Sequence, residues 1–320
     1  MTVDLAPLRP GGLRLAHPVI VAAGGAGYAT ELLDVVGELA PAAIVTRSTT
    51  RARRHGSRPP RMAMQPGGLL WSIGLQDPGL DAVLRRHGPR WGASDVPVIV
   101  SLCADSTEDI GWLARRLELS PEVAGLELNL ACPDRGRGGL PIGLDVEASE
   151  LATVAARAAT DLPLIIKLTP VAPDLREIAR AVAAAGADAI SAIGPLPALA
   201  VTRERDRALL GTAYGGLSGP AIKPVGLRAV YEIAQVVSVP IIGIGGVASL
   251  DDVLDYLAAG ATAVGLATAA LADPLLPGRL ALELETWCAE HRVSDLRELV
   301  GTALPRRRDR GSLRQGPWRL

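Results

Sequence analysis

Eight short apolar runs punctuate the chain, at residues 18–23, 42–46, 96–102, 125–130, 164–168, 189–193, 240–244 and 263–266. They read as near-continuous apolar segments, the pattern of strands covered on both faces. Between them lie longer stretches with apolar residues every three or four positions, at 107–117, 146–159, 174–185, 220–237 and 250–259. That spacing predicts amphipathic helices. Ser249 stands ahead of Asp251 and Asp252, a cap residue followed by first-turn acids that suit the helix dipole. The phrases A-A-G-A-D-A-I (184–190) and A-A-G-A-T-A-V (258–264) are near copies, each with a glycine that ends a helix just before a strand. Eight strand units in this rhythm predict an α/β fold, a closed parallel (β/α)8 TIM barrel, with a doubly wound open sheet as the alternative.

Two regions break the rhythm. Residues 49–92 are rich in Arg, Pro and Gly with several turn signals, and 193–219 carry a charged centre at 203–207. Long loops in a compact domain are often functional. Both follow barrel strands and are expected at the C-terminal face, where barrel active sites sit. Residues 1–304 are expected to form one barrel domain. Residues 305–320 are basic and poor in apolar side chains, which predicts a solvated, flexible tail.

Composition narrows the function classes. The chain has 320 residues, of which 48% are hydrophobic, enough for a sizeable core, and it contains no Phe. A formal net charge of −1 gives no electrostatic case for nucleic acid or a membrane surface. No apolar run reaches bilayer length, and the first residues lack a secretory pattern, so a cytoplasmic location is expected. Three scattered cysteines, Cys103, Cys132 and Cys288, form neither a disulfide framework nor a metal cluster, and no metal site is expected.

Four segments carry candidate chemistry. G-I-G-G-V (243–247) and L-A-T (266–268) follow the last two strands, the usual phosphate site of a barrel, and the glycines let backbone N–H groups approach an anion. G-G-L-S-G-P-A-I-K-P (215–224) is a third glycine-rich loop, with Pro220 suited to a first helical turn. Lys167 sits inside the apolar strand I-I-K-L-T-P, either neutralising an electron-rich cofactor in the barrel mouth or standing at the strand rim. L-E-L-N-L-A-C-P-D-R-G-R-G-G (126–139) ends a strand at Asn129 and opens a glycine-rich loop at Cys132. A thiol on such a loop serves as acid or base when its pKa is tuned. Cys103 and Cys288 lack such a loop and are expected to be buried structural thiols.

Taken together, L-N-L-A-C-P, I-K-L-T-P, G-G-L-S-G-P-A-I-K-P, G-I-G-G-V and S-I-G-L-Q-D-P-G (72–79) resemble the dihydroorotate dehydrogenases. The likeness runs from about residue 19 to 274 and is nearest to the soluble family-1 enzymes that pair with an iron–sulfur electron-transfer subunit. It implies flavin mononucleotide (FMN) at the C-terminal ends of the strands. The catalytic residues implied are Cys132 and Lys167. Cys132 would take a proton from the carbon next to a ring carbonyl while hydride passes to flavin N5, and Lys167 would face the N1/O2 edge of the flavin. Flavin contacts carry over to Ala23, Arg47, Ser48, Ser101, Asn129 and Lys167. They continue at Ile193, Gly219, Gly245, Gly246, Ala267 and Thr268. Substrate contacts carry over to Arg47, Trp71, Ser72, Ile73, Gly74, Leu75 and Asn129, and to Asp134, Gly194 and Pro195. A small-molecule substrate, an iron–sulfur subunit on a separate chain and a homodimer are the implied partners.

The departures from the family concern the substrate. Arg47 stands where the family has Lys, and Ser101 where it has Asn. Of the Asn residues that grip orotate, only Asn129 remains; Trp71, Asp134 and Gly194 take the other positions, and Pro195 replaces Ser or Thr. Each lost hydrogen bond is worth about 1–3 kcal/mol when a ligand group is left unpaired. Three readings follow: a dihydroorotate dehydrogenase, a paralogue acting on another cyclic amide or conjugated carbonyl compound, and a catalytically silent flavin-binding subunit. The retained Cys132, Asn129 and Lys167 argue against the last.

Overall fold

Capping side chains set where the helices begin. Ser106, Asp145, Asp174 and Ser249 each accept a backbone N–H from the first turn of the helix that follows. Such caps satisfy donors that a helix start otherwise leaves unpaired. The helices they open are Thr107–Glu118, Val146–Arg157, Leu175–Ala184 and Leu250–Ala258. A further helix, Lys223–Ala234, follows a 3-10 turn in which Pro220 takes the first position. The structure, a computed structural model, describes residues 1–132 and 141–305.

Eight strands alternate with these helices. They are β1 (Val19–Val21), β2 (Ile44–Val45), β3 (Val98–Leu102), β4 (Gly125–Asn129), β5 (Leu164–Leu168), β6 (Ala189–Ala192), β7 (Ile241–Ile244) and β8 (Ala263–Leu266). Each pairs in parallel with the next, and β8 closes on β1 through Val264 and Val19. The fold is therefore a (β/α)8 barrel, and each predicted strand run contains one barrel strand. Ile20, Ile44, Ile99 and Leu102 are fully buried, and each such side chain contributes roughly 1.5–3 kcal/mol on removal from water. An N-terminal hairpin, Val3–Asp4 with Arg14–Leu15, buries Leu5, Leu13 and Leu15. Leu13 reaches the start of β4 beside Gly125, so the hairpin covers the N-terminal end of the barrel.

The irregular regions are more ordered than their composition suggests. Residues 49–92 hold two strands, Met62–Gln65 and Gly68–Trp71, and the helix Leu80–Gly92. Residues 193–219 hold Leu196–Leu199 and Tyr214–Ser218. All four strands join in one antiparallel sheet, with Tyr214–Ser218 paired to Gly68–Trp71. The helix Leu80–Gly92 contains both Gly88 and Pro89, which read as helix breakers in the sequence. It forms because Leu80, Val83, Leu84, His87 and Trp91 make one buried face, so packing overrides propensity. A last helix, Leu276–Glu290, also lies outside the predicted set. Among the described residues no helix is long and apolar enough to cross a membrane.

Asp77 fixes the entry to the helix Leu80–Gly92. Its carboxylate accepts from Thr50 Oγ1 at 2.9 Å and from the Gly79 N–H at 2.8 Å. Burial pushes the Asp77 pKa above its ordinary value, only partly offset by these donors. A raised folded-state pKa means that the folded chain holds this proton longer than the unfolded chain. Stability is therefore lost as pH rises from the unfolded pKa through the folded one. Urea denaturation of wild type and Asp77→Asn should coincide most closely in acid, with the variant gaining relative stability towards neutral pH. A difference that stays flat with pH would contradict this.

Candidate active site

The barrel interior carries a polar cluster where hydrocarbon would be the default. Register puts Ser101 of β3 opposite Glu127 of β4, and Lys167 of β5 opposite both Asn129 of β4 and Ser191 of β6. Glu127, Ser101 and Ser191 are fully buried and Lys167 is nearly so. Lys167 Nζ donates to Glu127 Oε1 at 3.5 Å. Ser101 Oγ donates to the same oxygen at 3.2 Å, and Ser191 Oγ donates to Oε2 at 2.8 Å. A buried charge is tolerable only when paired and hydrogen-bonded, and both conditions hold for this carboxylate. Lys167 thus stands inside the barrel, not at its rim.

The cluster continues towards the C-terminal face. Ser48 Oγ lies 2.9 Å from Ser101 Oγ and accepts from Asn129 Nδ2 at 2.9 Å. Asn129 Oδ1 accepts the Ala131 N–H at 3.0 Å, which pins the turn into Cys132. Cys132 Sγ donates to Ser48 Oγ at 4.0 Å. The thiol of Cys103, just past β3, has Cys132 as a neighbour. That neighbour, then burial, pushes the Cys103 pKa well above the usual thiol range. Cys103 is buried as expected, yet it is not remote from the site.

Two glycine loops meet at the mouth. Gly219, Gly245 and Gly246 all have positive φ. A Cβ on Gly246 would lie 3.0 Å from the Gly219 carbonyl oxygen and 2.8 Å from Lys223 Cβ. Only glycine lets the two backbones approach so closely. Tyr256 supports this loop from beneath by donating its hydroxyl to the Gly245 carbonyl at 2.7 Å. Ser218 Oγ accepts from Thr268 Oγ1 at 2.8 Å and from Trp71 Nε1 at 3.1 Å, which ties the excursion sheet to the end of β8. Backbone cradles of this kind, with a hydroxyl alongside, suit a phosphate.

The remaining expected residues distribute around the same mouth. Ala23 follows β1, and Ile193 and Gly194 follow β6. Arg47 is half-buried, with its guanidinium 5.9 Å from the Tyr28 ring centroid. Gly194 packs on Ala131, whose Cβ would be 2.8 Å from an added Cβ, so no larger residue fits there without movement. Pro195 lies against Gly216. Ser72 Oγ is 3.1 Å from Ser57 Oγ, and Ile73, Gly74 and Leu75 continue that turn, with Gly74 and Leu75 at positive φ. Asp134 lies outside the described residues. Glu127, Ser191, Tyr256 and Ser218 are residues the sequence reading missed. Glu127 carried a visible signal, a charge inside an apolar strand run like that of Lys167; the other three carried none.

The family model for dihydroorotate dehydrogenase matches residues 9–287. The chain is 40% identical over 292 residues to a protein of Desulforudis audaxviator named dihydroorotate dehydrogenase B (NAD(+)), catalytic subunit; the match covers 91% of this chain and 95% of the relative. A relative of the same name from Geotalea daltonii is 42% identical over 290 residues, with the same coverage.

The buried ion pair generates a stability prediction. Glu127→Gln leaves the Lys167 cation without its counter-charge, and breaking a buried pair costs about 3–5 kcal/mol. Adding Lys167→Met to that variant should recover part of the loss, because no unpaired charge remains. Urea denaturation of both variants checks the sign, and a single variant within about 0.5 kcal/mol of wild type would refute the pairing as a stability element.

Proposed function

The chain belongs to the dihydroorotate dehydrogenase family, and we propose that it oxidises dihydroorotate to orotate with FMN as its cofactor and Cys132 as the base. As a dihydroorotate dehydrogenase-like oxidoreductase it acts on a CH–CH bond. The observation that carries the reading is the thiol of Cys132, held by Ser48 above a buried lysine–carboxylate pair at the barrel mouth. Bound FMN supplies the hydride acceptor.

The residues divide the work by position. Gly219, Gly245, Gly246, Ala267 and Thr268 would hold the phosphate through backbone N–H groups and the Thr268 hydroxyl. Ala23, Ser48, Ser101, Asn129 and Ile193 would line the ring site. Lys167 brings a positive charge to the barrel axis, and Glu127 fixes its direction. Cys132 removes a proton from the substrate carbon next to the ring carbonyl as the neighbouring hydrogen leaves as hydride. Arg47 and Asn129 would meet the polar edge of the substrate, beside Trp71 and the turn Ser72–Ile73–Gly74–Leu75, with Gly194 and Pro195 completing the pocket.

Any iron–sulfur centre that takes the electrons lies on another chain. The chain has only three cysteines, too few for a four-cysteine cluster. We therefore propose an iron–sulfur partner subunit, with NAD(+) as the final acceptor, as the name of the relatives suggests. A cytoplasmic homodimer is the proposed working form, with residues 1–304 as one barrel and 305–320 as a tail.

Trp71 favours a second reading, a paralogue with another cyclic amide or conjugated carbonyl substrate. Its indole N–H is spent on Ser218, so Trp71 offers orotate no free donor without rearrangement. Anaerobic mixing of the yellow holoprotein with dihydroorotate separates the readings. Rapid bleaching of the flavin is expected; bleaching only by a different dihydro compound supports the paralogue. Cys132→Ala should keep its flavin absorbance and lose about 10²–10⁴-fold in turnover, the usual worth of a positioned base. Unchanged turnover would remove Cys132 from the mechanism.

A further inference from the structure

The carboxylate of Glu127 is held more firmly than pairing with Lys167 alone requires. Glu127 is fully buried, on β4 between β3 and β5. From one side Ser101 Oγ of β3 donates to Oε1 at 3.2 Å, and from the other Ser191 Oγ of β6 donates to Oε2 at 2.8 Å. Both oxygens are thus fixed by strands that flank them, and the direction of the carboxylate is set before any ligand binds. Lys167 is held less completely. Its Nζ reaches Glu127 Oε1 at 3.5 Å, its single acceptor among the described residues, although an ammonium carries three donors. The lysine therefore keeps donors for a bound group, while its charge is countered from a fixed direction.

We propose that Glu127 is a positioning residue that aims Lys167 and also offsets its charge, so that the site favours reduced flavin less than a lone lysine would. This role rests on the proposed function, in which Lys167 meets the N1/O2 edge of FMN. Reduction adds negative charge to a flavin, so a cation beside it favours the reduced form and an anion opposes it. Together Lys167 and Glu127 carry no net charge. A glutamine in place of Glu127 could accept the same hydrogen bond from Lys167, so the bond by itself does not call for a carboxylate. The negative charge is what a glutamate adds.

The surroundings make that charge effective. The side chains of Lys167 and Glu127 are 6% and 0% exposed, so solvent screens neither as it would at the surface. Ser101 and Ser191 supply hydrogen bonds that a buried carboxylate needs, and they add no charge of their own. Within the cluster the compensation is therefore one to one, a single carboxylate against a single ammonium. A site that holds electrons less tightly passes them on more readily, which suits transfer to a partner subunit.

The test measures the flavin reduction potential of the holoprotein by anaerobic absorbance titration against a reference dye. Glu127→Gln should favour reduced flavin at least tenfold over wild type, about 30 mV upwards for a two-electron couple. Glu127→Asp keeps the charge and should stay within about threefold of wild type. Lys167→Met should shift the balance at least tenfold the other way. Glu127→Gln combined with Lys167→Met leaves neither charge, should fold even where Glu127→Gln alone does not, and should lie within about tenfold of wild type. An unchanged potential in Glu127→Gln, or a double variant as low as Lys167→Met, would overturn the proposal. So would an equal rise in Glu127→Asp and Glu127→Gln, because a packing fault and not the lost charge would then be the cause. If Lys167→Met shifts the potential and Glu127→Gln does not, the proposed function stands and only the role of Glu127 falls. If Lys167→Met shifts nothing, Lys167 does not face the flavin, and both fall at that residue.

Discussion

The buried pair of Lys167 and Glu127 is the constraint around which the barrel mouth is arranged. Two charges removed from water cost several kcal/mol each after relaxation, and only mutual pairing and full hydrogen bonding offset that. Both carboxylate oxygens are therefore engaged, one by Lys167 and Ser101 and the other by Ser191. With Glu127 itself these partners come from four adjacent strands, so correct strand register is a condition for satisfying the pair. A one-residue slip would turn Glu127 or Lys167 outwards, away from the axis. The same seryl chain, through Ser101 and Ser48, leads to Asn129 and Cys132. Catalytic geometry and barrel closure thus share one network.

A second constraint comes from above the barrel. The segments after β2 and β6 build one four-stranded sheet, although they are far apart in sequence. Trp71 and Ser218, 147 residues apart, hold this sheet to Thr268 at the end of β8. The four-stranded sheet and the glycine loops at the mouth are consequently one connected piece. Trp71 thus has a structural duty of its own, since its indole N–H is what reaches Ser218.

The thiol pair illustrates how proximity changes the meaning of a residue. Cys103 alone is a buried, inert side chain of the commonest kind. Near Cys132 its own pKa is pushed well above the usual thiol range, by that neighbour and then by burial. Nothing in the local sequence V-S-L-C-A-D signals this, because the two residues follow different strands.

The barrel was legible in the sequence because a parallel strand buried on both faces must be apolar throughout, and that is a local pattern. Helix starts were legible for the same reason: Ser106, Asp145, Asp174 and Ser249 cap through their nearest neighbours. Cys132, Asn129 and Lys167 stood out because reactive or charged residues interrupt such runs or end them. The helix Leu80–Gly92 was hidden, since Gly88 and Pro89 speak against a helix locally and only the buried face of Val83, His87 and Trp91 overrules them. The partner of Lys167 and the joining of the two excursions were decided by tertiary structure alone. Each depends on strand register and long-range closure, and such contacts leave no periodicity in the chain from which they could be read.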